Sequence, residues 1–148
     1  MKVVIRLEAL SKEAKERIAL ETDDQNLLAA LSKDEEVLVR IGVAKNENTN
    51  ELILQELAKD EDVIVRAEVA KNRNTNELTL NELANDDDST VRLGVAGNVL
   101  ASTSTLDQLA SDGDEEIRIG VACNTRTSEE TLEKLASDTS NRVRYSVI

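Results

Sequence analysis

The sequence predicts an all-α solenoid, a stack of 26-residue, two-helix repeats, on three grounds. First, a Val/Ile-Arg pair returns at Val39-Arg40, Val65-Arg66, Val91-Arg92, Ile117-Arg118 and Val143-Arg144, always 26 residues on. Second, units 39–64 and 65–90 are identical at 17 of 26 positions. They share one frame: Val-Arg-x-x-Val-Ala-x-Asn, then Thr or another small residue, then Leu-x-x-Leu-Ala-x-Asp. Third, the apolar residues inside each interval recur at helical spacing and strand signals are weak. Units this short cannot bury their own apolar faces, so they must stack.

Taken in order, Lys2 to Ile5 is the one run with a strand-like look, but Ile5-Arg6-Leu7 resembles the helix-start pattern, so an N-terminal capping helix is expected. Residues 13–38 form a degenerate leading unit. Leu31 and Asp34 keep register there, while the Val-Arg pair and the Asn are lost. With the residues before it, this unit makes a cap, 1–38. Full units occupy 39–64, 65–90, 91–116 and 117–142, and a truncated one runs from Val143 to Ile148. The whole, 1–148, is expected to be a single repeat domain.

The first helix of a unit is expected over about Glu61 to Lys71 and its copies. On a wheel of about 100° per residue, Val65, Val69, Ala70 and Ala67 cover more than half the circumference. This helix is therefore expected to be buried between neighbours. Its end is marked by Asn46, Asn72, Asn98 and Asn124, a residue type that tolerates the left-handed conformation after a helix. The second helix is expected to start at Thr49, Thr75 or Thr127 as N-cap, with Thr127 to Glu130 spelling a capping box. Its apolar stripe is narrow, Leu54, Leu57 and Ala58, repeated as Leu80, Leu83 and Ala84, which places it on the surface with one face on the stack. Isolated helices of about ten residues are marginal in water, so stability must come from stacking.

Composition excludes whole classes of chemistry. The chain has no His, no Pro, no Trp, no Phe, one Tyr (Tyr145) and one Cys (Cys123). Without His there is no Ser-His-Asp relay and no imidazole metal ligand. One cysteine makes neither an internal disulfide nor a thiolate cage. No cofactor is expected. A formal net charge of -12 is the wrong sign for gripping phosphate backbones, and the missing aromatics remove stacking platforms, so no nucleic-acid partner is expected. No apolar run approaches the roughly 20 residues of a membrane span, and Arg6 and Glu8 interrupt the N-terminal stretch, so neither a membrane nor export is expected. A free cysteine without an export signal predicts a cytoplasmic protein.

The frame Val-Arg-x-x-Val-Ala-x-Asn-x-x-Thr, closed by Leu-x-x-Leu-Ala-x-Asp, resembles the leucine-rich repeat variant family, a helical repeat of the HEAT and armadillo type. The resemblance covers about residues 13–148. It departs from the family where Pro often follows the Asn and the Thr: Glu47 and Asn50, or Arg73 and Asn76, stand there instead. The resemblance implies a right-handed superhelix of paired helices, the second partly 3-10, and implies no chemistry.

The repeated arginine is the sharpest physical puzzle. Arg66 falls inside the apolar arc of its helix, where an uncompensated charge costs several kcal/mol. Asp34, Asp60, Asp86, Asp112 and Asp138 each precede Arg40, Arg66, Arg92, Arg118 and Arg144 by six residues. A structural Asp–Arg ladder is expected along the stack, within a unit or between neighbours, with helix-end carbonyls sharing the load. The functional alternative is an arginine row that binds anions.

Acidic clusters at Asp34-Glu35-Glu36, Asp60-Glu61-Asp62, Asp86-Asp87-Asp88 and Asp112 to Glu116 sit where first helices begin and offset the exposed N–H groups there. Stacking lines them into one acidic edge, suited to a basic protein segment or to weak divalent-cation binding. An EF-hand reading of Asp112-Gly113-Asp114 fails on spacing. Gly42, Gly94 and Gly120 share a first-helix position held elsewhere by Glu68 and Ser146, which points to close helix–helix approach. Cys123 has no visible activating partner.

These residues predict a non-catalytic protein-interaction or scaffolding module that binds a basic partner by charge steering. The non-repeating turn positions Glu47, Arg73, Val99, Leu100 and Arg126 are the expected contact surface, with Val99 and Leu100 its apolar departure. The alternative is a weak divalent-metal or carboxylate-based site on the acidic edge. Val143, Val147 and Ile148 belong to an unfinished helix, so an apolar end surface is expected there, leading to a homodimer or a longer chain.

Overall fold

The computed structural model describes residues 6–147. A single 3-10 turn, Leu7–Ala9, precedes eleven α-helices, and no strand occurs among the described residues. The run Lys2 to Ile5 and residue Ile148 lie outside them. The helices are α1 (Lys12–Glu21), α2 (Gln25–Leu31), α3 (Val37–Lys45), α4 (Glu51–Leu57), α5 (Val63–Lys71), α6 (Glu77–Leu83), α7 (Ser89–Ala96), α8 (Thr103–Leu109), α9 (Glu115–Cys123), α10 (Glu129–Leu135) and α11 (Asn141–Ser146).

The odd-numbered helices form one layer, each packed on the next: α1 on α3, α3 on α5, α5 on α7, α7 on α9, α9 on α11. Helices α2, α4, α6 and α8 each sit against the first helix of their own pair and against the following one, and α10 sits against α9. The chain is an all-helical solenoid. Between the layers runs one core. Val39, Val65, Val91, Ile117 and Val143 are fully buried along it, as are Val43, Val69, Val95 and Val121, and Leu28, Leu54, Leu80 and Leu106 from the second layer. Burying each such side chain contributes about 1.5–3 kcal/mol, which supports helices too short to persist alone. Val143 is thus enclosed within the chain and adds nothing to an apolar end surface, while Val147 is half-buried.

The helix ends differ in detail from the expectation. The even-numbered helices start one residue later than expected. Asn50, Asn76, Ser102 and Ser128 are the N-caps, each side chain accepting the amide N–H three residues on. Thr49, Thr75 and Thr127 instead turn inward and donate their hydroxyls to the carbonyls of Val43, Val69 and Val121 at 2.7, 2.6 and 2.5 Å. A buried hydroxyl must be spent where a carbonyl waits, and the last turn of the preceding helix supplies one. The expected box of Thr127 and Glu130 is accordingly replaced by Ser128 with Thr131. The second helices are α-helical over seven residues and close with tighter bonds of 3-10 type, such as Asp60 N to Leu57 O at 3.1 Å.

The expected first-helix span also shortens at its start. Glu61 lies outside α5, and Asp62 caps it through bonds from Ile64 N and Val65 N. No non-glycine residue among those described has positive φ. Asn46, Asn72 and Asn124 are extended, with φ of -66°, -69° and -78°. The leading unit is degenerate for a physical reason: α1 and α2 are joined by three residues, Thr22 to Asp24, where α3/α4, α5/α6 and α9/α10 use a five-residue turn that holds Asn and Thr, and α7/α8 a six-residue turn that holds Asn98.

Candidate functional site

Four arginines join successive first helices through two-pronged ion pairs. Arg40 Nε donates to Asp60 Oδ2 at 2.8 Å and Nη2 to Oδ1 at 3.1 Å. Arg66 and Asp86 repeat this at 2.8 and 3.2 Å, Arg92 and Asp112 at 2.8 and 3.3 Å, and Arg118 and Asp138 at 2.8 and 3.0 Å. Each carboxylate thus belongs to the arginine twenty residues before it. The main-chain carbonyl of the aspartate six residues before each arginine accepts from Nη1, as in Arg66 to Asp60 O at 2.9 Å. The result is a continuous chain of contacts, since each aspartate takes one arginine on its carboxylate and the next on its carbonyl.

The ends of this row depart from the pattern. Asp34 accepts from Lys15 Nζ at 2.8 Å, a lysine standing where an arginine would otherwise come. Arg144 donates to the carbonyls of Asp138 and Thr139 at 2.8 and 3.2 Å and makes no ion pair among the described residues.

Electrostatics follow the geometry. Burial pushes the carboxyls of Asp34, Asp86 and Asp112 up. The hydrogen bonds from Lys15, Arg66 and Arg92, an amide N–H two residues on, and nearby cations outweigh that, so all three lie below the ordinary value of 3.8. At Asp138 the bond from Arg118 dominates and lowers the carboxyl likewise. The paired arginines are held above their usual value by the same bonds. Each of the four guanidinium groups already donates to one carboxylate and two carbonyls, which leaves little for an outside anion.

A second ladder, of asparagines, was not legible as such. Asn72 Nδ2 donates to Ala44 O at 2.8 Å and to Asn46 O at 3.0 Å, while its Oδ1 accepts from Asn74 N at 2.9 Å. Asn98 does the same with Ala70 and Asn72, and Asn124 with Ala96 and Asn98. Asn46 reaches Ala19 and Thr22. One primary amide therefore ties off the orphan carbonyls at the end of the previous first helix. The signal available was the recurrence of Asn at one position, Asn46, Asn72, Asn98 and Asn124, in all four full units.

Glycine marks close approach. A Cβ on Gly42 would stand 2.9 Å from Ala19 Cβ, and one on Gly94 2.8 Å from Ala70 Cβ. Glu68 occupies the same position in α5, half-buried, and turns its carboxylate out to Lys71 at 3.0 Å.

The expected contact positions are all exposed on the turns between first and second helices. Val99 is 55% and Leu100 37% exposed. Glu47, Arg73 and Arg126 flank them, and the row is braced by its neighbours: Asn74 Nδ2 donates to Thr49 O at 3.1 Å, and Arg126 Nη1 to Leu100 O at 3.2 Å. The first helix is less enclosed than its wheel implied. Ala67 is buried, but Leu93 at the same position is 40% and Tyr145 72% exposed. The acidic edge lies where expected, with Asp62, Asp88 and Asp114 serving as N-caps and Glu35, Glu61 and Asp87 facing solvent. Among the described residues no group of three or more Cys, Asp or Glu side chains is gathered to hold a metal ion. Cys123 is exposed. No described helix is long and apolar enough to cross a membrane.

No family model matches the chain, and no curated protein sequence matches it. Among solved structures the chain is similar to a leucine-rich repeat variant with a novel repetitive protein structural motif. The two share 24% sequence identity over 95% of this chain and 67% of the other, with a TM-score of 0.45.

Proposed function

We propose that this chain is a non-catalytic interaction module whose repeats form one scaffold, steered by charge to a basic protein partner. The supporting observation is the division of labour along the stack. Arg–Asp rungs, asparagine amides and buried leucines repeat nearly unchanged, while the exposed turn positions Glu47, Arg73, Val99, Leu100 and Arg126 vary from unit to unit. Variation on a constant frame is what a binding surface needs. The net charge of -12 and the row of exposed carboxylates at the first-helix starts supply long-range attraction for a cation-rich segment. The exposed thiol of Cys123 fits a reducing, cytoplasmic setting.

The test uses immobilised chain and two soluble peptides of equal length, one lysine-rich and one glutamate-rich. The lysine-rich peptide is expected to be retained and to weaken steeply as salt rises from about 0.05 to 0.5 M, where the screening length shortens severalfold. Equal retention of both peptides, or retention indifferent to salt, removes the charge-steered reading.

A further inference from the structure

We infer that the exposed face of the first-helix layer is a docking track for a basic amphipathic helix, one side of which is apolar and the other rich in lysine or arginine. This rests on the charge-steered reading above and adds to the exposed turns a second contact surface, on the first-helix layer. Nine large apolar side chains stand exposed among the described residues, and five lie on this face: Leu20 on α1, Leu38 on α3, Ile64 on α5, Leu93 on α7 and Tyr145 on α11. Half-buried Ile41 and Ile119 fill the gaps between them. Leu20 Cγ lies 3.5 Å from where a Cβ of Gly42 would stand, and Leu93 Cδ1 3.6 Å from where one of Gly120 would, so α1 meets α3 and α7 meets α9 along this face.

The fold itself does not require these side chains. Ala67 occupies the position of Leu93 and Tyr145, and packs fully buried. Thr90 and Glu116 occupy the position of Leu38 and Ile64. Packing is thus met by small or polar residues at the same sites, and the bulky apolar ones are surplus to it. A contiguous exposed apolar patch on a soluble surface marks an interaction site. The other exposed apolar row, Leu52 and Leu78 on the second helices, breaks off at Ser104 and Glu130.

Charge complementarity selects the occupant. The track runs directly beside the acidic edge, and Glu35, Glu61 and Asp87 are exposed there and form no ion pair among the described residues. Packed helices lie about 8–10 Å apart, so six first helices span about 40–50 Å. Seven residues of an α-helix rise about 10.5 Å. Apolar side chains at heptad spacing therefore step along the track nearly in phase with it, while the flanking lysines or arginines meet the carboxylates.

The experiment compares two fluorescent peptides of equal charge and length: an amphipathic Leu–Lys helix with leucines at heptad spacing, and a Ser–Lys peptide without apolar residues. The receptor variant L38T/I64T/L93A/Y145A borrows the Thr and Ala that other repeats already place at the positions of all four sites, and circular dichroism checks its fold. L93A alone serves as the minimal version. The wild type is expected to bind the Leu–Lys peptide at least tenfold more tightly than the Ser–Lys peptide. The quadruple variant is expected to lose about tenfold for the Leu–Lys peptide only, and L52S/L78S, on the exposed second helices, to lose nothing. Equal binding of the two peptides, or an unchanged quadruple variant, overturns the track while leaving charge steering in place. Absence of binding by both peptides overturns both readings.

Discussion

Arg66 and Asp86, twenty residues apart in sequence, are joined by a two-pronged ion pair, Nε to Oδ2 at 2.8 Å and Nη2 to Oδ1 at 3.2 Å. The arginine sits on α5 and the aspartate in the turn that leads into α7, so the pair fixes one first helix against the start of the next. The Asp86 Oδ1 also accepts the Asp88 amide, which shapes that turn.

Breaking one rung is expected to be costly. Asp86→Ala removes both prongs and the acceptor of the Asp88 amide, and leaves a guanidinium that is only 20% exposed without a carboxylate. A loss of about 2–3 kcal/mol is expected, read from urea unfolding. Arg66→Met on top of Asp86→Ala is expected to recover part of the loss, because the stranded charge is then gone. A double variant as unstable as the sum of the single ones shows that the two side chains do not interact.

The rungs also set the acid limit of the fold. Asp34, Asp86, Asp112 and Asp138 have carboxyls below their ordinary value of 3.8 in the folded chain. The unfolded chain therefore binds protons first as pH falls, and protonation favours unfolding. Their stabilisation is complete above about pH 5 and declines as pH drops through 3.8 toward the lower folded values. Thermal midpoints measured from pH 7 to pH 2 are expected to stay level and then fall below about pH 4. Asp86→Asn is expected to show a shallower fall.

Asn72 provides a separate check on the second ladder. Asn72→Ala strips the donor from Ala44 O and Asn46 O, both bonded in a buried setting, at an expected cost of about 2–3 kcal/mol. Asn72→Asp is expected to be worse at pH 7, since an ionised carboxylate would face two carbonyls. Equal stability of Asn72→Asp and wild type contradicts the assigned geometry.

Two glycines are expected to respond in opposite directions. Gly94→Ala places a methyl 2.8 Å from Ala70 Cβ and 3.3 Å from Ala67 O. Despite the better helix propensity of alanine, the overpacking is expected to destabilise by about 1–3 kcal/mol. At Gly97 the nearest atom to an added Cβ is 3.7 Å away and the backbone is right-handed. Gly97→Ala is therefore expected to be neutral or to stabilise by up to about 1 kcal/mol. Differential scanning calorimetry on the two variants distinguishes them.

The period of 26, the two short helices of each unit, the buried Val and Leu rows and the need to give the inward-facing Arg residues an Asp were legible in the sequence. Each depends on composition at fixed spacing, and a repeated mismatch between charge and apolar surroundings admits few solutions. The roles of Asn72 and Thr75 were not. A side chain that caps a helix and one that bonds across to a neighbouring helix look alike in a string of letters, because both need only a small polar group near a helix end.

What the amino-acid order determined alone is the architecture: short amphipathic helices that must stack, with a carboxylate for every inward guanidinium. Tertiary packing alone decided which Asp meets which Arg, and that Asn46, Asn72, Asn98 and Asn124 bridge to the previous helix. It also decided that Leu38, Ile64, Leu93 and Tyr145 stand outside. The reason is that partners twenty to twenty-eight residues apart are selected by the spacing and tilt of neighbouring helices. Those quantities arise only when the buried side chains have settled against each other.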